Sequence, residues 1–97
     1  MTDAVTAAPH AYKVLLENNR VRILEYRGGP GTKADRHSHP DLVAVAIHGG
    51  KVRFTLAGDQ TGDTELADGE AGFFPATVHM TENVGNNEIH IVLVELK

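Results

Sequence analysis

Three of the six histidines in this 97-residue sequence stand at a spacing that supports chemistry: His37 and His39, two apart, and His79, forty residues later. On an extended strand, residues i and i+2 project from the same face. The imidazoles of His37 and His39 can therefore converge on one point at the roughly 2 Å of a metal–nitrogen bond. A third histidine from a neighbouring strand would complete a facial triad. Spacing alone also permits the plainer reading, in which strand-end histidines are solvated or hydrogen-bonded polar groups. Other chemistries are narrowed by what is missing. With no cysteine there is no disulfide, thiolate metal site, iron–sulfur cluster or cysteine nucleophile. The one serine, Ser38, has no nucleophile elbow around it, and neither a P-loop nor a GxGxxG motif is present.

The elements that must position these histidines read as strands. From Tyr12 onward apolar residues recur every second position between short turn signals, an all-β pattern. Tyr12 to Glu17 and Arg20 to Arg27 flank Asn18-Asn19, a pair suited to a tight hairpin turn. Gly28-Gly29-Pro30-Gly31 breaks the pattern, and a loop is expected to about Arg36. Leu42 to His48 and Lys51 to Ala57, separated by Gly49-Gly50, read as a second hairpin. Shorter runs at Thr64 to Leu66 and Ala71 to Phe74 follow, then clean alternation from Glu88 to Leu96. No segment carries a helical period, and strands of this kind are expected to close as a sandwich or barrel.

Composition bounds the partners. Hydrophobic residues make up 41% and charged residues 23%, a globular balance within which residues 12–97 read as a single domain. Residues 1–11, including His10, read as a flexible lead-in without a signal peptide or apolar span, so a cytoplasmic protein is expected. Nine Lys plus Arg against thirteen Asp plus Glu give a net charge of -4. That balance removes the driving force for nucleic-acid or anionic-membrane binding and leaves a small molecule as the expected partner. A chain this short buries only about two thirds of its surface on folding, which favours pairing as a homodimer.

The sequence also resembles a known family. Gly31, five residues, His37, one residue, His39, three residues, Val43, six residues and Gly50 are similar to the first motif of the cupin superfamily. Gly69, five residues, Pro75, then His79, three residues and Asn83 are similar to its second. The resemblance implies a small antiparallel jelly-roll β-barrel with one divalent transition metal inside: iron, zinc, nickel, manganese or copper. It extends to small cupins associated with β-alanine degradation. Two departures stand out: the family's acidic ligand falls at Val43, and the usual glycine after Pro75 is absent. The implied site is thus three-histidine, as in the cupin dioxygenases that act on acetylacetone or thiols.

Further candidates follow from parity and resemblance. Asp41 shares the parity of His37 and His39 and reads either as an added ligand or as a turn residue after Pro40. His90 is an additional ligand candidate or an ordinary strand histidine, as is His48. Asn83 is expected to fix the loop bearing His79. Val43, Val45 and Ile47 would form an apolar cavity wall if the strand continues without a bulge, with Phe73 or Phe74 beside them and Met80 at the mouth. Arg22, Arg36 and Arg53 are not placed securely inside by alternation. The acidic run Asp59, Asp63, Glu65, Asp68 and Glu70 partly imitates a calcium loop but lacks its glycine, and reads as a solvated hairpin. Two functions emerge: a mononuclear metalloenzyme, dioxygenase-like or Lewis-acid, acting on a small chelating carboxylate, thiol or 1,3-dicarbonyl, or a non-catalytic metal- or ligand-binding module.

Overall fold

A computed structural model describes residues 2–97. The chain opens with one helical turn, α1 (Ala4–Ala7), and continues through nine strands. These are β1 (Tyr12–Glu17), β2 (Val21–Gly28), β3 (Lys33–His39), β4 (Leu42–His48), β5 (Gly50–Thr55), β6 (Thr61–Leu66), β7 (Ala71–Phe74), β8 (Thr77–Asn83) and β9 (Ile89–Leu96). They form two antiparallel sheets, one of order β1-β2-β9-β4-β7 and one of order β3-β8-β5-β6. This is the jelly-roll arrangement expected, with one correction: the two sheets face each other without closing into a continuous barrel.

Local chemistry accounts for the turns. The first hairpin is held as expected by Asn18, whose side-chain oxygen accepts from the backbone N–H groups of Arg20 (2.8 Å) and Val21 (2.9 Å). The expected pairing of β4 with the following strand does not occur. β4 pairs with β7 and β9, whereas β5 pairs with β6 and β8. Gly49 carries the chain from one sheet to the other. Any Cβ there would lie 1.9 Å from the Leu66 carbonyl oxygen, so the crossing needs glycine.

Two strands begin or lie where none was read. β3 starts at Lys33, inside the expected loop, and β8 lies where apolar alternation predicts no strand. Both turn polar side chains inward, so hydrophobic alternation does not mark them. β3 also carries a bulge. Ala34 stands opposite Thr81 and His37 opposite His79, so β3 spends three residues where β8 spends two. The extra residue shifts the inward parity from Ala34 to His37 and His39, all three of which are buried.

The N-terminal residues differ most from expectation. Residues 4–7 are helical, with Asp3 capping the turn by accepting from the Thr6 N–H (3.1 Å). Ala4 and Ala8 are fully buried in the same core cluster as Leu24 and Ile89. α1 lies against β3 and β1, the edge strands at one side of the sandwich, and Asp3 bridges to Ser38. Small side chains allow this close approach, which is why a segment with little apolar bulk still docks. Among the described residues no helix is long and apolar enough to cross a membrane. Overpacking a filled site typically costs about 1–3 kcal/mol, and in a domain of this size each kcal/mol shifts Tm by about 4–8 °C. Ala4→Leu is therefore expected to lower Tm by about 4 °C or more in a thermal melt, whereas a loose lead-in would leave it unchanged.

Candidate metal centre

β3 and β8 bring the three histidines together. His37 stands directly opposite His79 in the strand register, and His39 follows on the same face of β3. Ring centroids are 4.8 Å apart for His37–His39 and for His37–His79, and 5.3 Å for His39–His79. All three side chains are buried, and each offers a nitrogen within 4.8 Å of the others.

Hydrogen bonds set which nitrogen is free. Nδ1 of His37 lies 2.7 Å from the Asp35 carbonyl oxygen, which can only accept, so Nδ1 carries the proton. Nδ1 of His39 likewise donates to Oε2 of Glu95 at 2.6 Å. In both rings Nε2 is left with its lone pair. Nε2 of His37 and Nε2 of His79 are buried with no hydrogen-bond partner among the described residues. Leaving a buried polar atom unpaired costs about 1–3 kcal/mol. Two such atoms aimed into one three-imidazole cluster are what a metal-ligand set requires, so the donor set fits a divalent transition metal.

Electrostatics agree. Burial, and then the neighbouring imidazoles of His37 and His39, pushes His79 down to about 3. Burial also lowers His37, partly offset by the hydrogen bond to Asp35. Both are neutral at physiological pH, the form that ligates metal. Glu95, buried on β9, sets its carboxyl group against the cluster through His39. Its Oε1 lies 3.9 Å from Nε of Arg22, and Arg22 in turn pairs with Asp3 at 2.5 Å. A file of alternating charge thus runs from His39 to the N-terminal helical turn. The Tyr12 ring meets His37 edge-on at 5.5 Å, and burial drives its hydroxyl well above the usual phenol range.

Beside the cluster lies a cavity of about 530 Å³. Tyr12, Tyr26, Leu42, Ala44, Val52, Phe54, Phe74, Ile91 and Leu93 give it apolar walls, and His39, His79 and Thr81 face it. Oγ1 of Thr81 is buried next to the Tyr12 hydroxyl. The outer part is lined by β6, which is almost wholly exposed. No Lys or Arg lines it, and the one carboxylate, Asp63, is held by Arg53 at 2.8 Å.

The remaining sequence candidates lie elsewhere. Asp41 is an exposed turn residue whose carboxylate accepts from the Ala76 N–H (2.8 Å) and does not join the cluster. His90 faces away on β9, bonded to Glu25 at 2.9 Å, and His48 is exposed. Asn83 is buried and holds backbone, donating to the Gly28 and Asn87 carbonyls and accepting from the Gly85 N–H. The expected wall of Val43, Val45 and Ile47 is corrected: Leu42 and Ala44 line the cavity instead. The turn at Pro40-Asp41 moves the chain into the other sheet, so β4 does not inherit the parity of β3. Phe74 lines the cavity whereas Phe73 is exposed, as is Met80. Arg36 and Arg53 pair with Asp59 and Asp63. The acidic run acts in turns, Asp68 accepting from the Gly49 N–H and Glu70 from the Ala67 N–H. Sequence reasoning missed Glu95. Its signal was available, since Ile89, Ile91, Leu93 and Glu95 share one parity and three of them are apolar.

No family profile and no curated protein matches the sequence. Solved structures do. The fold is similar to a cupin domain from Bordetella pertussis, with 26% identity over 89% of this chain and 91% of that one and a TM-score of 0.81. It is similar to a protein with a double-stranded β-helix domain from Klebsiella pneumoniae, at 25% identity over 88% and 74%, TM-score 0.68. An RmlC-like cupin from Methanocaldococcus jannaschii shares the fold at 17% identity over 88% and 77%, TM-score 0.69.

The pH dependence of the metal-free protein follows from the depressed histidines. The unfolded chain takes up their protons near pH 6.5, whereas folded His79 does so only at about 3. Stability present above about pH 6.5 is therefore lost progressively as pH falls through that window. Between pH 7 and pH 5 denaturant titration should register a loss on the order of 2 kcal/mol from His79 alone, and His79→Asn should flatten the slope. A wild-type slope no steeper than that of the variant would contradict the burial of a neutral imidazole.

Proposed function

Since the chain belongs to the cupin superfamily, we propose that it is a mononuclear metalloenzyme in which His37, His39 and His79 hold one divalent transition metal ion. The observation that carries this reading is the pair of buried, unpartnered Nε2 atoms on His37 and His79. Three neutral ligands leave such an ion its full charge, and it would supply Lewis acidity or oxygen activation to a chelating head group. The chain's own residues do the rest. Asp35 and Glu95 fix the proton on Nδ1 of His37 and His39, keeping their outer nitrogens available. The Thr81 hydroxyl, buried beside the Tyr12 hydroxyl, offers a hydrogen bond to the head group. The walls around Leu42, Phe54 and Phe74 give it apolar surroundings.

The cavity also selects the body of the substrate. With no Lys or Arg in the lining, a phosphate or a second carboxylate would be desolvated without a partner. A small carboxylate, thiol or 1,3-dicarbonyl that chelates at one end and is apolar at the other fits the lining. The link to β-alanine degradation rests on the sequence resemblance alone. One observation favours a second reading, a non-catalytic binding module. Apart from the histidines, no titratable group lining the cavity is free to move protons near neutral pH: Asp63, its one carboxylate, is paired with Arg53, and burial holds the Tyr12 and Tyr26 hydroxyls protonated.

Elemental analysis of protein purified without tag or chelator tests the centre. About one transition metal per chain is expected, lost in His37→Ala/His39→Ala and sharply reduced in His79→Ala. Metal absent from wild type and not taken up when iron, zinc, nickel, manganese and copper are offered would overturn the proposal. Glu95→Gln should weaken metal retention by about 10–100-fold in a competition with chelator. Oxygen uptake with iron and a chelating substrate separates the two readings: consumption supports the enzyme, and ligand-induced stabilisation without consumption supports the binding module.

A further inference from the structure

Asp3 performs two tasks with one carboxylate. Its Oδ1 accepts from the Thr6 N–H and caps α1, while its Oδ2 pairs with Nη2 of Arg22 at 2.5 Å. One group therefore fixes both the docking of the helical turn and the position of the guanidinium. Across the β2–β9 register Arg22 stands opposite Glu95, the carboxylate that accepts from Nδ1 of His39 at 2.6 Å. Nε of Arg22 is buried with no hydrogen-bond partner among the described residues, and Oε1 of Glu95 lies 3.9 Å from it. A buried cationic donor is thus held about 1 Å short of hydrogen-bond contact with a carboxylate already in use. Glu17, opposite Arg22 on β1, is taken by Lys97 at 2.6 Å. The lead-in also reaches the ligand strand directly, since the N–H of Ser38, between His37 and His39, donates to the Thr2 carbonyl at 2.9 Å.

We propose that Arg22 and Asp3 are positioning residues of the metal centre, through which docking of the N-terminal turn and retention of metal at His37, His39 and His79 are coupled. The inference rests on the metal-centre reading above. An imidazole that gives its Nδ1–H to a fully charged carboxylate is the stronger base toward a metal on Nε2. Arg22 competes with His39 for that carboxylate, and Asp3 draws the competitor away by offering a second one. When the turn undocks, Arg22 closes on Glu95 and satisfies its unpartnered Nε, and His39 loses part of the charge it leans on. Metal and docked turn therefore favour each other, and linkage makes the effect reciprocal: what the turn adds to metal affinity, metal adds to docking of the turn. The first turn of the chain acts as a latch on the site as well as a cover for the sandwich edge.

Release of Co²⁺ from the loaded full chain into excess chelator tests this. Asp3→Asn is the informative change, because asparagine caps a helix as well as aspartate and only the charge is lost. It should release Co²⁺ at least about fivefold faster than wild type. In an Arg22→Met background, where the competitor is gone, the same change should alter the rate by less than about twofold; a merely structural turn would give additive effects instead. Amide exchange of the unaltered chain supplies a measurement that depends on no variant. The N–H groups of Ala7 and Ala8, which donate to the carbonyls of Asp3 and Ala4, should exchange at least about fivefold more slowly with Co²⁺ bound than without. Wild type that takes up no Co²⁺ would overturn the metal-centre reading and this inference with it. Wild type that loads normally, but whose Asp3→Asn variant releases at the same rate, or whose Ala7 and Ala8 amides ignore the metal, would overturn the coupling alone. A defect of Asp3→Asn that persists undiminished beside Arg22→Met would overturn it equally.

Discussion

Most of what is distinctive here depends on the register between β3 and β8. A one-residue slip would turn every side chain of a strand to the opposite face. His37 and His39 would then point to solvent and the cluster would not exist. The bulge after Ala34 sets that register, because it lets an apolar residue and then two histidines all face inward on one strand. Nearby loops are pinned to match. Asn83, at the end of β8, spends its whole side chain on the carbonyls of Gly28 and Asn87 and the N–H of Gly85, so the backbone on either side is tied at one point. The Gly31 N–H donates to the Asn83 carbonyl, and the Asn83 N–H donates to the carbonyl of Thr32.

A cluster of three imidazoles is expensive to bury, and the surrounding residues carry that cost. His39 donates to a buried carboxylate, and that carboxylate faces Arg22, which is held by Asp3. Removing one member would leave a buried charge without its partner, typically a loss of several kcal/mol. The docking of the N-terminal turn therefore does more than cover the edge of the sandwich: it completes the charge balance behind His39. On the opposite side the inner cavity is apolar apart from the histidines and Thr81, and the other polar residues, Thr61, Asp63 and Thr64 on β6 among them, line its outer part.

How much of this was legible in the sequence depended on whether a strand faces apolar or polar neighbours. β4 and β9 were visible because their residues are nearly all aliphatic. β8 was not, since its inward residues are His79, Thr81 and Asn83, and an alternation rule keyed to apolar side chains reads such a strand as loop. The functional strands are thus the ones that sequence patterning sees least well. The histidines were nonetheless found, through their spacing and the family resemblance. Glu95 was passed over because a single acidic residue near the chain's end looks like ordinary surface. The cavity wall was assigned to the wrong parity because the two-residue turn at Pro40-Asp41 also changes sheets, a long-range event that local alternation does not encode. The N-terminal turn docks through alanines too small to register as a core signal.

The most direct test of the central claim is X-ray absorption spectroscopy of the metal-loaded chain, because it reads the ligands rather than the presence of metal. Three imidazole nitrogens at roughly 2.0–2.1 Å are predicted, with the multiple-scattering pattern of histidine, and the remaining positions filled by oxygen donors that lack that pattern. Loss of one imidazole from the spectrum of His79→Ala should accompany this. A first shell built mainly of carboxylate oxygen, or one unchanged by that substitution, would contradict the three-histidine centre.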